Sequence, residues 1–298
     1  MKGYLIRILK YLIILVIVSN LFALCLDSII RNSSIFKPNR LFNDSNLSQN
    51  VILGSSRALT GVNTKILINE TKESWVNLSI DDTPLEVHLL QLKLLIENGN
   101  IPKSIILQYD RGLNPENRLM EFSDRDYQFL PYTYKDSGKI IWNYLKFKEK
   151  GFGALMYTVP VLKYVYFNTE LFFPAMKLLF SPKYMHRSDE LGDYAYPDNQ
   201  TMKFASSATL PLKDTVYVND KDSLYVEFVK ICEFNKIKLF TFTAPYKNSV
   251  VKYSNAKSKI INLGSWLDEP KYFYDDLHIT ASARDSITRE LINRIKML

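Results

Sequence analysis

Short apolar runs alternate along this chain with stretches of helical periodicity, and that alternation restricts the fold more than any other feature. Val51–Leu53, Ser74–Leu78 and Ser104–Tyr109 read as strands. Between them Ala58–Glu70 reads as a helix, and Leu85–Asn98, closed by Gly99, carries Leu85, Leu89, Leu92 and Ile96 at helical spacing. The pattern resumes with a helix over Lys221–Asn235, a strand over Lys238–Thr243, a short strand over Lys259–Leu263 and a helix over Thr280–Met297. Strands with no polar alternation are buried on both faces, which indicates a parallel sheet carrying helices on either side. Sheets of this kind place their sites at the carboxyl ends of strands, so the residues after Leu53 become the first place to look.

Between Arg111 and Asn219 the alternation stops. This stretch is dense in aromatics, among them Tyr127, Phe129, Tyr132, Tyr164, Phe167, Phe172 and Phe173. Its most helical part, Ala154–Phe180, is interrupted by Pro160 and Pro174. We read residues 111–219 as an insertion that packs its aromatics onto the sheet and borders the site, with a lid or substrate-binding cap as the sharper alternative. Leu162–Phe180 is apolar enough to suggest a second membrane contact, although Lys163, Glu170 and Lys177 argue against a spanning helix.

The formal charge of +7 is concentrated at one end. Lys2, Arg7, Lys10, Arg31, Lys37 and Arg40 stand against the single acid Asp27 in residues 1–40, which leaves the remainder near neutrality. A nucleic-acid binder carries its excess on the folded body, so nucleic acid is not an expected partner. The charge instead flanks the apolar segment 11–30. Its uncharged part, Tyr11–Leu26, falls slightly short of the roughly 20 residues needed to cross a bilayer, and Ser28–Ile30 complete the length if Asp27 lies near the far interface. The segment reads as an uncleaved signal-anchor, because no clear small-x-small cleavage pattern follows it. The organisation expected is a short cytoplasmic segment (1–10), a transmembrane helix (11–30), a polar tether (31–48) and a large extracytoplasmic domain (49–298). Cys25 and Cys232 are too far apart in role to form an intradomain disulfide, and both read as small buried hydrophobes. With three scattered histidines they leave no metal cluster, and no cofactor is expected. His88, in a polar helix stripe, and His186, in a loop, read as surface residues.

Two short motifs carry chemistry. Val51-Ile52-Leu53-Gly54-Ser55-Ser56-Arg57 is a strand ending in a Gly-Ser turn, and Phe273-Tyr274-Asp275-Asp276-Leu277-His278 precedes the C-terminal helix. In chain order they offer a hydroxyl nucleophile, an orienting acid and a general base. Each has a bland reading: Gly-Ser-Ser after a strand is a common helix cap, and Asp-x-x-His is a common capping turn. Asp276 rivals Asp275, but its spacing to the histidine is one residue short.

With these motifs in that order, the region 49–298 resembles the SGNH/GDSL hydrolase superfamily, and more closely its membrane-anchored bacterial branch found among cell-envelope polysaccharide and teichoic acid acyl-transfer proteins. The resemblance implies a three-layer α/β/α domain with a mostly parallel, flavodoxin-like sheet. It also implies Ser56 as nucleophile, His278 as base and Asp275 as the partner that orients it. Ser55 stands where the family usually has Asp. Two blocks depart from the pattern. The place of the oxyanion-hole glycine reads Asn77-Leu78-Ser79-Ile80-Asp81-Asp82-Thr83, and the strand that normally leads to a donor Asn runs into Asp110-Arg111-Gly112-Leu113-Asn114. Ser55, Asp82, Arg111 and Asn114 are therefore the candidate oxyanion or substrate residues. The function implied is a membrane-anchored serine esterase, or an O-acyltransferase or deacylase, acting on acyl esters of a cell-envelope glycan, with an integral-membrane acyl-transfer protein as partner. The alternative is an inactive SGNH-fold protein that binds glycan or scaffolds an envelope complex, a reading that the missing glycine and asparagine favour.

Overall fold

A computed structural model describes residues 2–43, 49–110, 126–133, 137–148, 155–156, 158–185, 188–196, 214–247, 249–255, 258–267, 269–275 and 277–298. The chain divides into two compact units, one made of Met1–Asn43 with Asp126–His186 and the other of Asp44–Arg125 with Arg187–Leu298.

The larger unit is mixed α/β. Its described strands are β1 (Asn50–Leu53), β2 (Trp75–Asn77), β3 (Ser104–Gln108), β4 (Asp214–Val218), β5 (Lys238–Thr243), β6 (Ser249–Tyr253) and β7 (Ile261–Asn262). Five of them form a sheet in the order β2-β1-β3-β5-β7, with every neighbouring pair parallel. β1 lies inside this sheet, held on both sides: Val51 is in register with Val76 and with Ile105. All four of its residues are buried, which explains why no polar residue alternates through it. Ile52, Ile106, Phe240 and Phe242 share one core with Ala283, Ile287 and Leu291 of the C-terminal helix Ala281–Lys296. Helices Leu85–Glu97 and Ser223–Phe234 pack against each other and are joined by a Lys93–Glu227 ion pair at 2.7 Å. β4 and β6 make a separate two-stranded parallel ribbon that the sequence pattern did not announce.

The helix expected over Ala58–Glu70 is two helices, Ser56–Gly61 and Thr64–Thr71. The break is chemical. Asn63 caps the second helix by accepting from Lys65 N and Ile66 N at 3.1 and 3.3 Å, and Arg284 Nε donates to Val62 O at 3.0 Å. A carbonyl taken by a guanidinium is no longer offered to the next helical turn.

The smaller unit is built on the helix Lys2–Arg31, the one described helix long and apolar enough to cross a membrane, with mean hydropathy 2.5; a signal sequence has the same character. Its large apolar side chains from Tyr4 to Val18 are exposed, while Ala23, Leu26, Asp27 and Ile30 are buried. The polar stretch read as a tether is instead packed as far as Asn43: Ile35, Phe36 and Leu41 are buried and Asn39–Asn43 is helical. The aromatics expected on the sheet pack here with the N-terminal segment, Tyr127 edge-to-face with Phe36 at 5.9 Å and Tyr132 stacked on Phe42 at 5.1 Å. Pro160 precedes the helix Val161–Tyr166 as its N-cap, but the next interruption falls at Phe167, and Pro174 lies in the first turn of the helix Phe173–Phe180, which follows a π-helical turn over Asn168–Phe172 directly.

Candidate functional site

β1 ends at Gly54, where the chain turns so tightly that a Cβ would lie 2.6 Å from Ala58 Cβ and 2.8 Å from Gln108 Cβ. Only glycine fits that approach. Ser55 then caps the helix Ser56–Gly61, accepting from Arg57 N, while its own N and Oγ donate to Gln108 Oε1 at 3.2 and 2.8 Å. Ser55 is thus engaged as a cap on the end of β3, which accounts for its hydroxyl without a substrate. Ser56 occupies the first helical position, where a backbone N–H has no intrahelical acceptor.

The second motif folds as a closed loop. Phe273 pairs with Ile279, and Tyr274 N donates to His278 O at 2.8 Å. Asp275 sits at the tip. Its Oδ1 accepts from Leu277 N and His278 N at 2.8 and 2.7 Å, and its Oδ2 faces His278 Nδ1 at 2.7 Å. The other ring nitrogen, His278 Nε2, lies 2.7 Å from Ser56 Oγ. Residues 222 positions apart are thereby brought into one hydrogen-bonded line. Partial burial opposes ionisation of Asp275, but the hydrogen bonds from the His278 ring and from the two amides outweigh it and hold the carboxyl below its usual range. An ionised Asp275 assigns the proton to Nδ1 and leaves Nε2 as acceptor for the serine hydroxyl.

Neighbours that the motifs did not reveal hold this line in place. Arg57 is buried beside the serine. It pairs with Asp110 at the end of β3, donates to Ala244 O and Pro245 O at 2.7 and 2.6 Å beyond β5, and stacks 3.6 Å over the Tyr246 ring. Asp193 accepts from Thr64 N, Thr64 Oγ1 and Asn77 Nδ2 and pairs with Arg284 Nη2 at 2.7 Å. That buried cluster anchors the arm carrying Tyr194 and Tyr196. Tyr196 stacks on Tyr274 at 4.2 Å and tilts against His278 at 5.3 Å. Burial, then the charge of Asp81 and the presence of Tyr194, Asp275 and Tyr274, push its phenol up to about 12.

Gly192 makes this arm possible. It has φ +84°, and a Cβ there would lie 2.0 Å from Asn77 O. Gly192→Ala is expected to lower stability by about 1–3 kcal/mol, read by thermal unfolding. Gly99→Ala is the comparison, since Gly99 has φ +74° with nothing within 4 Å and isolates the backbone strain from the collision. Equal losses in the two variants would show that the arm yields around Asn77.

Of the other sequence candidates, Asp82 lies in the turn after β2 with φ +51°. Ile80 N donates to Gly54 O at 3.0 Å, so that turn starts beside the serine turn. Arg111, Asn114, Asp276 and His186 lie outside the described residues. His88 is not on the surface: it is buried, with Nδ1 3.4 Å from Gln91 Oε1. The polar stripe that suggested exposure is satisfied internally, Gln91 Nε2 donating to Leu78 O at 2.8 Å. A small cavity with room for about one water-sized group lies between Arg57, Gly61, Ala244, Leu277 and Ile279, among the chain neighbours of both Ser56 and His278. No protein-family model, curated protein or solved structure matches this chain.

Proposed function

We propose that this protein is a serine esterase, or an O-acyltransferase or deacylase, held at the membrane by its N-terminal helix. Its substrates are acyl esters of a cell-envelope glycan, and its chemistry is that of the SGNH/GDSL superfamily. The observation that carries this reading is the Ser56–His278–Asp275 line, with both links at 2.7 Å. The parallel order β2-β1-β3-β5-β7 supports it, as do the two separate helix groups and the position of Ser56 beyond the carboxyl end of β1.

In this mechanism Ser56 Oγ attacks the ester carbonyl as His278 Nε2 takes its proton. Asp275 holds the ring tautomer and stabilises the imidazolium. The Ser56 backbone N–H stands by for the developing oxyanion. The protonated His278 then delivers its proton to the leaving alkoxide, and water or a sugar hydroxyl resolves the acyl-enzyme. Asp81 favours the second reading, a binding protein on the same fold: its charge acts on Tyr196 next to the triad and would oppose an oxyanion there.

The test is fluorophosphonate labelling of the full-length protein in detergent, read by peptide mass spectrometry. A stoichiometric adduct on Ser56, absent from Ser56→Ala and His278→Ala, is the expected result. A folded protein without an adduct would remove the enzyme reading and leave the binding one.

A further inference from the structure

We infer that the helical segment Val161–Phe180 lies in the lipid boundary beside the N-terminal helix, with its outer face against acyl chains. This placement rests on the anchor part of the proposed function. Lys10 is the last cation before the apolar run, so it marks one interface. A hydrocarbon layer of about 30 Å needs about 20 residues at 1.5 Å each, which carries the crossing from Lys10 to the neighbourhood of Ile30.

Within that span the helix stops being bare. Asn20 Oδ1 accepts from Val161 N at 3.2 Å, ten residues past Lys10. Asp27, about 25 Å beyond Lys10 on the same rise, is fully buried. Lys163 Nζ reaches it at 2.6 Å and Tyr164 Oη donates to it at 2.7 Å. A fully buried carboxylate has to be paired, and both hydrogen-bond partners come from Val161–Tyr166. A segment that covers the crossing helix between Asn20 and Asp27 must itself reach the depth of those residues.

The opposite side of the segment fits that position. Val165 and Tyr166 are each 64% exposed, Phe173 59% and Phe180 83%, next to exposed Leu179. They are bare apolar positions like those that the N-terminal helix presents from Tyr4 to Val18, within the same compact unit. Asn168, Thr169 and Lys177 share the face, and Lys177 Nζ lies 3.8 Å over the Tyr184 ring. Polar residues interleaved with aromatics set the depth at the boundary between acyl chains and headgroups.

The experiment places a fluorophore on single cysteines in the full-length chain with Cys25→Ser and Cys232→Ala, reconstituted into vesicles of phosphatidylcholine and phosphatidylglycerol. The positions are Val165→Cys, Phe173→Cys and Phe180→Cys, with Val16→Cys on the bare anchor and Phe234→Cys, an apolar residue 88% exposed in the other unit, as references. Spin-labelled lipid is expected to quench positions 165, 173 and 180 about twofold or more, as at position 16, with position 234 unaffected and open to aqueous iodide. Quenching at 16 with iodide access at 165, 173 and 180 would overturn the inference while keeping the anchor, and would leave that face to a protein partner. No quenching at 16 would refute the anchor itself, and the inference with it.

Discussion

Ser56→Ala and His278→Ala are expected to lower ester hydrolysis by roughly 10^3- to 10^6-fold, and Asp275→Asn by somewhat less, each with an unchanged fold. The expectation follows from how the three groups depend on one another. A serine hydroxyl is a poor nucleophile until a base removes its proton, and His278 Nε2 at 2.7 Å is the group positioned to do so. Removing either partner removes the same step, so the double variant should be little worse than either single one. Asp275 acts through the ring and not on the substrate, and Asn at that position would favour the wrong tautomer. A p-nitrophenyl acetate assay on full-length protein in detergent measures all four. Multiplicative losses in the double variant, or a His278→Ala variant as active as the parent, would remove His278 from the role of base.

The second large effect is a loss of stability in acid that originates at His88. Burial, opposed by the Gln91 hydrogen bond and the charge of Asp110, lowers its imidazole to about 4. The unfolded chain has the ordinary histidine value of about 6.5 and therefore binds the proton more readily than the folded one. The contribution is complete above about pH 6.5 and declines by roughly 1.4 kcal/mol per unit as the pH falls. By pH 4 the loss amounts to about 3 kcal/mol, a sizeable part of a typical domain's 5–15 kcal/mol. His88→Gln should flatten this dependence. Thermal unfolding of both proteins at pH 7 and pH 4.5 reads it, at about 2–4 °C per kcal/mol. Parallel pH curves for the two proteins would mean that His88 is free to charge within the fold.

Ser56, Asp275 and His278 were legible because each motif is short, local and attached to an element with a strong pattern of its own. Gln108, Arg57 and Asp193 were not, since a glutamine at a strand end or an aspartate in a loop gives no local sign of the turn it will hold. Tyr196 stood among many aromatics, and only the Asp193–Arg284–Asn77 cluster singles it out. His88 was misread because helical periodicity reports which residues share a stripe. It does not report whether a polar stripe meets solvent or, as here, a partner such as Gln91. The stretch read as a tether, residues 31–48, shows the same limit in its described part, 31–43. Composition showed a polar stretch, yet Ile35, Phe36 and Leu41 within it are enough to bury it.

By itself the sequence determined the parallel α/β character of the larger unit, the apolar N-terminal helix and the identity of the three residues that meet. All of these depend on interactions within a few residues: strand hydrophobicity, helical period, a glycine turn, an Asx turn. Tertiary structure alone decided that Nε2 of His278 falls within hydrogen-bond distance of Ser56 Oγ, and that the aromatic stretch joins the N-terminal helix. Both depend on contacts between residues more than a hundred positions apart, such as Lys163 with Asp27 and Arg284 with Val62. Pairings of that kind are selected by burial and charge once the chain has collapsed, and no local pattern encodes which partner will be near.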